Sequence, residues 1–186
     1  HHSNDFKENN IKLFSSYHTK SMMSYDFILE GVKFSASYFL EGENSIICKI
    51  FLHNKSDTSK SLVINGTNIY GYPQERYWGA DGMASNYNEK EDCGISKVWA
   101  YGDIFIIGSD KKSSNFHTTD SSLEWHSFVA GKNNLPQKGF TLHFNTDQNI
   151  EENSKDHIYT ILSYELDIPA GAEETMVLSL TRGKNE

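Results

Sequence analysis

From Tyr25 to Asn54 apolar and polar positions alternate in a way that predicts three antiparallel strands joined by two tight turns. Tyr25–Glu30 runs into a Gly31 corner, and Val32–Leu40 sets Val32, Phe34, Ala36, Tyr38 and Leu40 at every second position. Glu41-Gly42-Glu43-Asn44 turns the chain back into Ser45–His53. That run is apolar on both faces around Ile46, Ile47, Ile50, Phe51 and Leu52, as suits a strand deep in a sheet or sandwich. A meander of this length presents a wide apolar face that a second layer must cover. Gly139–Asn145 and His157–Arg182 are expected to supply that cover.

Elsewhere the same patterning predicts a short strand at Leu13–Tyr17 and a longer one from Leu62 to Tyr70, with Asn65-Gly66 as a turn or bulge. Gly71–Asp92 has no sustained period and is expected to be a long loop, of the kind that is functional or packs on itself. Ser96–Tyr101 and Ile104–Ser109 form a predicted hairpin about Gly102-Asp103. Asp110–Ser122 is expected to be a second polar loop, and Leu123–Val129 a strand carrying Trp125 and Phe128. Gly139–Asn145 alternates Phe140, Leu142 and Phe144. His157–Ile168 is a long strand, Pro169–Ala172 a turn, and Glu174–Arg182 the last strand. The sum is about ten to twelve strands and no segment of helical period, hence an all-β, two-sheet antiparallel β-sandwich.

Composition narrows this only a little. The 186 residues are 13% aromatic and 37% hydrophobic, enough for one β domain with thin core layers and many polar loops. No repeat or linker divides residues 4–186, and His1-His2-Ser3 resembles the remnant of a purification tag. The chain is expected to be a fragment of a longer protein. A formal charge of −8, without a cluster of Lys and Arg, argues against nucleic acid and anionic membrane surfaces as partners. No run approaches the roughly 18 apolar residues of a membrane span. Cys48, in an apolar strand, is expected to be a small buried hydrophobe, and Cys93 to sit in a charged turn; the pair permits one disulfide without requiring it.

Candidate chemistry is sparse. No Gly-x-Ser-x-Gly elbow is present, and no Cys stands near a convincing His partner. His18, His53, His117, His126, His143 and His157 lack zinc-site spacing, so neither a metal nor another cofactor is expected. Asp81, Asp103 and Glu124 lie near aromatics and are the candidates should two carboxylates pair for glycoside chemistry; solvated loop acids are the plainer reading. Aromatic clustering stands above this background. Tyr70, Tyr72, Tyr77 and Trp78 fall close together, flanked by Gln74, Glu75, Arg76 and Asp81. Sugars present apolar C–H faces and dense hydroxyls, so rings beside planar polar groups complement them. Tyr72, Tyr77, Trp78, Asp81 and Trp125 are therefore the candidate carbohydrate-binding or domain-contact residues, the competing explanation being that such rings simply anchor a long loop.

Three stretches carry a resemblance. Phe27-Ile-Leu-Glu-Gly31, Ser37-Tyr-Phe-Leu-Glu41 and Ile46–Phe51 followed by His53-Asn54 resemble the opening of the N-terminal β-sandwich of (α/α)6-barrel glycoside hydrolases and phosphorylases, the galactose-mutarotase-like supersandwich. Tyr164-Glu-Leu-Asp-Ile-Pro169-Ala-Gly171, then Met176–Leu180 and Arg182-Gly183, looks like the hairpin that closes such domains. The resemblance implies a non-catalytic sandwich domain that packs on or borders a catalytic domain carrying the acids, with a periplasmic or extracellular setting. It matches no catalytic motif, so no catalytic residue is carried over. The other reading is a free-standing carbohydrate-binding or surface-adhesion module built on the aromatic loop.

Overall fold

The structure, a computed structural model, describes residues 12–71, 83–98, 102–129, 140–142 and 157–184. Among them lie twelve strands and one helix: β1 (Lys12–His18), β2 (Met22–Leu29), β3 (Val32–Glu41), β4 (Ser45–Asn54), β5 (Lys60–Gly71), β6 (Met83–Asn88), β7 (Cys93–Val98), β8 (Asp103–Ser109), β9 (Asn115–Thr119), α1 (Ser122–Val129), β10 (Phe140–Leu142), β11 (His157–Ile168) and β12 (Glu173–Lys184). Hydrogen bonding orders them β1-β2-β3-β4-β12-β8-β7-β6-β10 in one sheet and β5-β11-β9 in the other. The fold is an all-β antiparallel sandwich, as the strand patterning predicts. The chain divides into two compact units, one within His1–Ile64, Ser109–Lys111 and Glu165–Leu180, the other within Asn65–Gly108, Lys112–Tyr164 and Thr181–Glu186.

In the first unit the meander folds as its alternation dictates. Glu30 and Gly31 both take positive φ, 48° and 86°, the mirror-image turn whose twist matches the flanking strands. Leu29 consequently faces Val32, and the register continues Phe27↔Phe34↔Leu52, Tyr25↔Ala36↔Ile50 and Met23↔Tyr38↔Cys48. These rows share one face because cross-strand partners point the same way. Phe27 and Phe34 stack at 4.8 Å. The opposite face carries a polar cluster: Ser15 and Ser35 both donate to Asp26, at 2.7 and 2.5 Å, and the Ser24 and Ser37 hydroxyls meet at 3.1 Å. Those two hydroxyls, chiefly that of Ser35, hold the Asp26 carboxyl below its ordinary value.

His157–Arg182 does not cover the meander as one layer. β12 lies beside β4 in the meander's own sheet, and only β11 belongs to the second sheet. The join is made by Asn54, fully buried at the end of β4. Its Nδ2 donates to the carbonyls of Thr58, Ile168 and Pro169 at 2.8, 2.9 and 3.1 Å. Its Oδ1 accepts from the Ser56 amide and hydroxyl, at 3.0 and 2.7 Å. The Asn54 amide donates to the Ala172 carbonyl, and the Gly171 amide donates back to the Asn54 carbonyl. One side chain thus fixes the β4–β5 turn and the β11–β12 turn together.

In the second unit the core gathers Tyr70, Met83, Val98 and Ile158, with Phe105 against it. Tyr70 is therefore a core residue at the end of β5, its ring 4.7 Å from that of Phe105 and tilted 37° to it, and not a loop ring. Several other expectations also change. β5 runs unbroken through Asn65-Gly66. β6 and β9 occupy segments that polar composition assigns to loops, because buried positions such as Ser85 in β6 and His117, Thr118 and Thr119 in β9 are polar. Ser85 meets Ser96 at 2.9 Å and Thr160 at 3.1 Å, all three buried. Buried hydroxyls with partners cost little, whereas hydropathy counts them as surface. Cys93 opens β7 instead of sitting in the turn; the turn is Glu89–Asp92, where Asp92 at φ 49° accepts from Tyr87, the Ser113 hydroxyl and the Ser113 amide. Cys48 and Cys93 are both free and buried. A Cβ on Gly94 would stand 2.9 Å from both Ile107 and Phe116, so the β7–β8–β9 packing requires a residue without one.

Replacing Asn54 by Ala leaves buried carbonyls and the Ser56 donors without their partner. A loss of about 2–4 kcal/mol in urea unfolding is expected, since each orphaned buried group costs about 1–3 kcal/mol. Asn54→Asp, which points a carboxylate at carbonyl oxygens, should cost at least as much; an Ala variant as stable as the parent would remove Asn54 from this role.

Candidate functional site

Of the five sequence-derived site residues, Tyr72, Tyr77, Trp78 and Asp81 lie outside the described residues. Trp125 is described, on a helix and not the expected strand. The reason is local. Ser121 is the N-cap: its hydroxyl accepts from the Glu124 amide at 3.3 Å, and the Trp125 amide donates to the Ser121 carbonyl at 3.0 Å. Ser121-Ser-Leu-Glu124 is a capping-box sequence, a start signal that precedes the apolar residues misassigned to a strand. Glu124 accepts from Thr119 Oγ1 at 2.5 Å, and Thr119 Oγ1 in turn accepts from the Ser121 amide at 3.0 Å.

Helix α1 packs on the small sheet through ring and charge contacts. β9 and β11 pair with Thr119 opposite Tyr159 and His117 opposite Ile161. His117, 1% exposed, stacks on Phe128 at 4.8 Å and 6°, with its Nε2 3.7 Å from Glu124 Oε1. Trp125 lies 5.6 Å from Tyr159, and Tyr159 6.2 Å from His157. On the other side Trp125 meets the exposed ring of His126 edge-on at 4.9 Å. Four rings, His126, Trp125, Tyr159 and His157, therefore form a continuous row, partly exposed along its length. Its far end is set by β5: a Cβ on Gly71 would fall 3.3 Å from His157 Nε2. The Trp125 indole N–H has no hydrogen-bond acceptor among the described residues. Tyr159 and His157 were not singled out by sequence, because both sit in a strand legible as scaffold; their alternation with buried Ile158 and Thr160 was the available signal.

Of the three carboxylate candidates, Asp103 and Glu124 are described, and each is engaged by other groups. Asp103 is buried at the start of β8, bonded to Arg182 at 2.7 Å and Lys184 at 2.6 Å. Burial raises its pKa, but the two β12 cations outweigh burial and hold the carboxyl below its ordinary value. Glu124 is engaged with Thr119 and His117, and Asp81 lies outside the described residues. No group of three or more His, Cys, Asp or Glu side chains able to hold a metal occurs among the described residues.

Comparison with known proteins places the fold. No protein-family model matches the sequence, and no curated protein sequence matches it. Among solved structures, a protein from Synechocystis sp. PCC 6803 superposes with TM-score 0.54 at 5% identity, over 94% of this chain and 66% of its own. A candidate aldose 1-epimerase from Escherichia coli K12 gives TM-score 0.54 at 6% identity, over 94% of this chain and 69% of its own. These neighbours match the resemblance carried by the meander and closing hairpin, and at 5–6% identity what the likeness shows is the β-sandwich fold. The chain spans about two thirds of the length of these two neighbours.

Two outcomes follow from this geometry. Ser121→Ala should cost about 1 kcal/mol, the usual worth of an N-cap, seen as a lower urea midpoint. For Asp103, a carboxyl whose folded pKa lies below its unfolded 3.8 adds stability above that pH and loses it as pH falls through the folded value. The parent should therefore lose stability relative to Asp103→Asn when unfolding is measured at pH 3 instead of pH 6. Equal losses in the two proteins would mean that the ion triad does not contribute.

Proposed function

We propose that this chain is a non-catalytic β-sandwich domain of a carbohydrate-active, glycoside hydrolase-like enzyme, packing on an adjacent catalytic domain of the same polypeptide. The observation that carries the proposal is a face of the meander that outruns its cover. On the inward face of β3, Val32 is 0% and Phe34 6% exposed, while Tyr38 is 37% and Leu40 61% exposed. Met23, Tyr25 and Ile46 extend this open end on the same face, and Tyr25 meets Tyr38 edge-on at 6.3 Å. A contiguous apolar patch continuous with a core is the usual mark of a surface meant to be covered. Burial, with lesser contributions from Cys48 and Tyr25, pushes the Tyr38 phenol up to about 12. The mutarotase-like fold supports the carbohydrate class, and the occupied states of Asp103 and Glu124 favour a supporting role over a catalytic one. A periplasmic or extracellular setting accompanies this reading.

The test is amide exchange measured on this chain alone and on the intact polypeptide from which it comes. Residues 37–48 should gain protection at least tenfold in the intact polypeptide, and Leu40→Lys with Ile46→Lys should abolish the gain. Unchanged exchange would sink the docking face. Aryl-glycosides should be left intact by this chain alone; hydrolysis that disappears with Asp81→Asn would overturn the non-catalytic role.

A further inference from the structure

The ring row belongs to the second unit and shares no residue with the docking face of the first. We infer that His126, Trp125, Tyr159 and His157 form a binding site for a neutral, non-planar oligosaccharide. Three observations carry this. First, the rings are continuous, at centroid steps of 4.9, 5.6 and 6.2 Å, each about the width of one hexose ring. Aromatic faces receive the C–H faces of sugars and exclude water from them. Second, successive rings are turned by 71°, 39° and 34°, so the row is not a flat plate. Rings that are not coplanar suit a twisting soluble chain better than a flat crystalline one. Third, Glu124 adjoins Trp125 in the chain, and the whole chain carries −8. A sulfated or uronic glycan would meet repulsion from that net charge, whereas a neutral glycan would not.

The support is also rigid. Trp125 is held by a capped helix, Tyr159 by the β9–β11 register, and His157 by the close approach of Gly71. Side chains already fixed on a helix and a strand lose little freedom on binding. The ligand class follows from the carbohydrate reading above, but the two proposals fail separately: docking is read at residues 37–48 and ligand binding at the ring row.

Isothermal titration of this chain with maltohexaose, heparin hexasaccharide and choline, together with pull-down on microcrystalline cellulose, tests the site. Maltohexaose should bind, with the other three at least tenfold weaker. Trp125→Ala and Tyr159→Ala should each weaken maltohexaose at least tenfold. Leu40→Lys, in the other unit, should leave it unchanged. Because loss of the indole can loosen α1, Trp125→Phe serves as the second variant. It should keep the fold, by an unchanged melting temperature, and bind between the parent and Trp125→Ala. No maltohexaose binding, binding indifferent to Trp125 and Tyr159, or preference for heparin, cellulose or choline would each overturn the site.

Discussion

Everything that closes the first unit passes through one buried amide. Asn54 is uncharged, short and able to donate and accept at once, which is what two converging turns require. The carbonyl of Ile168, at the end of β11, and that of Pro169 after it take their donor from this side chain, as does that of Thr58 ahead of β5. A backbone junction of this kind cannot be made from apolar packing. Ser61 bonded to Asp167 at 2.5 Å and Lys111 bonded to Glu174 at 2.5 Å hold adjacent strands in the same unit, but both pairs lie nearer solvent and are more weakly coupled to the fold.

The second unit is organised on a different principle. Its interior mixes Tyr70, Met83 and Ile158 with a hydroxyl cluster of Ser85, Ser96 and Thr160. Hydroxyls that satisfy one another specify which residues may face each other, since a one-residue slip would strand each of them. The buried His117 between Phe128 and Glu124 does the same for helix α1, letting ring stacking and a polar contact position it at once.

That contrast explains what was legible in the sequence. β3, β4, β8, β11 and β12 are written in alternating or continuous aliphatics and lie close to the expected bounds, whereas β2 and β7 begin three residues earlier than expected. β6 and β9 are written in Ser, Asn, His and Thr, whose inward orientation depends on partners far away in sequence. Helix α1 was hidden by its own aromatics, Trp125 and Phe128, which favour strands locally, although Ser121 and Glu124 already marked its start. The same limits apply to the site. Trp125 stood out as a lone ring, but its neighbours Tyr159 and His157 join it only through the β9–β11 register.

Asn54 carries one more consequence. Asn54-Lys55-Ser56 spells the acceptor tripeptide for N-linked glycosylation. The nitrogen that would take the glycan is the one donating to Thr58, Ile168 and Pro169, at a residue with no exposed surface. In the folded molecule that nitrogen is out of a transferase's reach, and a chain modified during synthesis could not seat the amide. For this protein, glycosylation at Asn54 and native folding are mutually exclusive, and a eukaryotic secretory host would set the two in competition as the chain emerges.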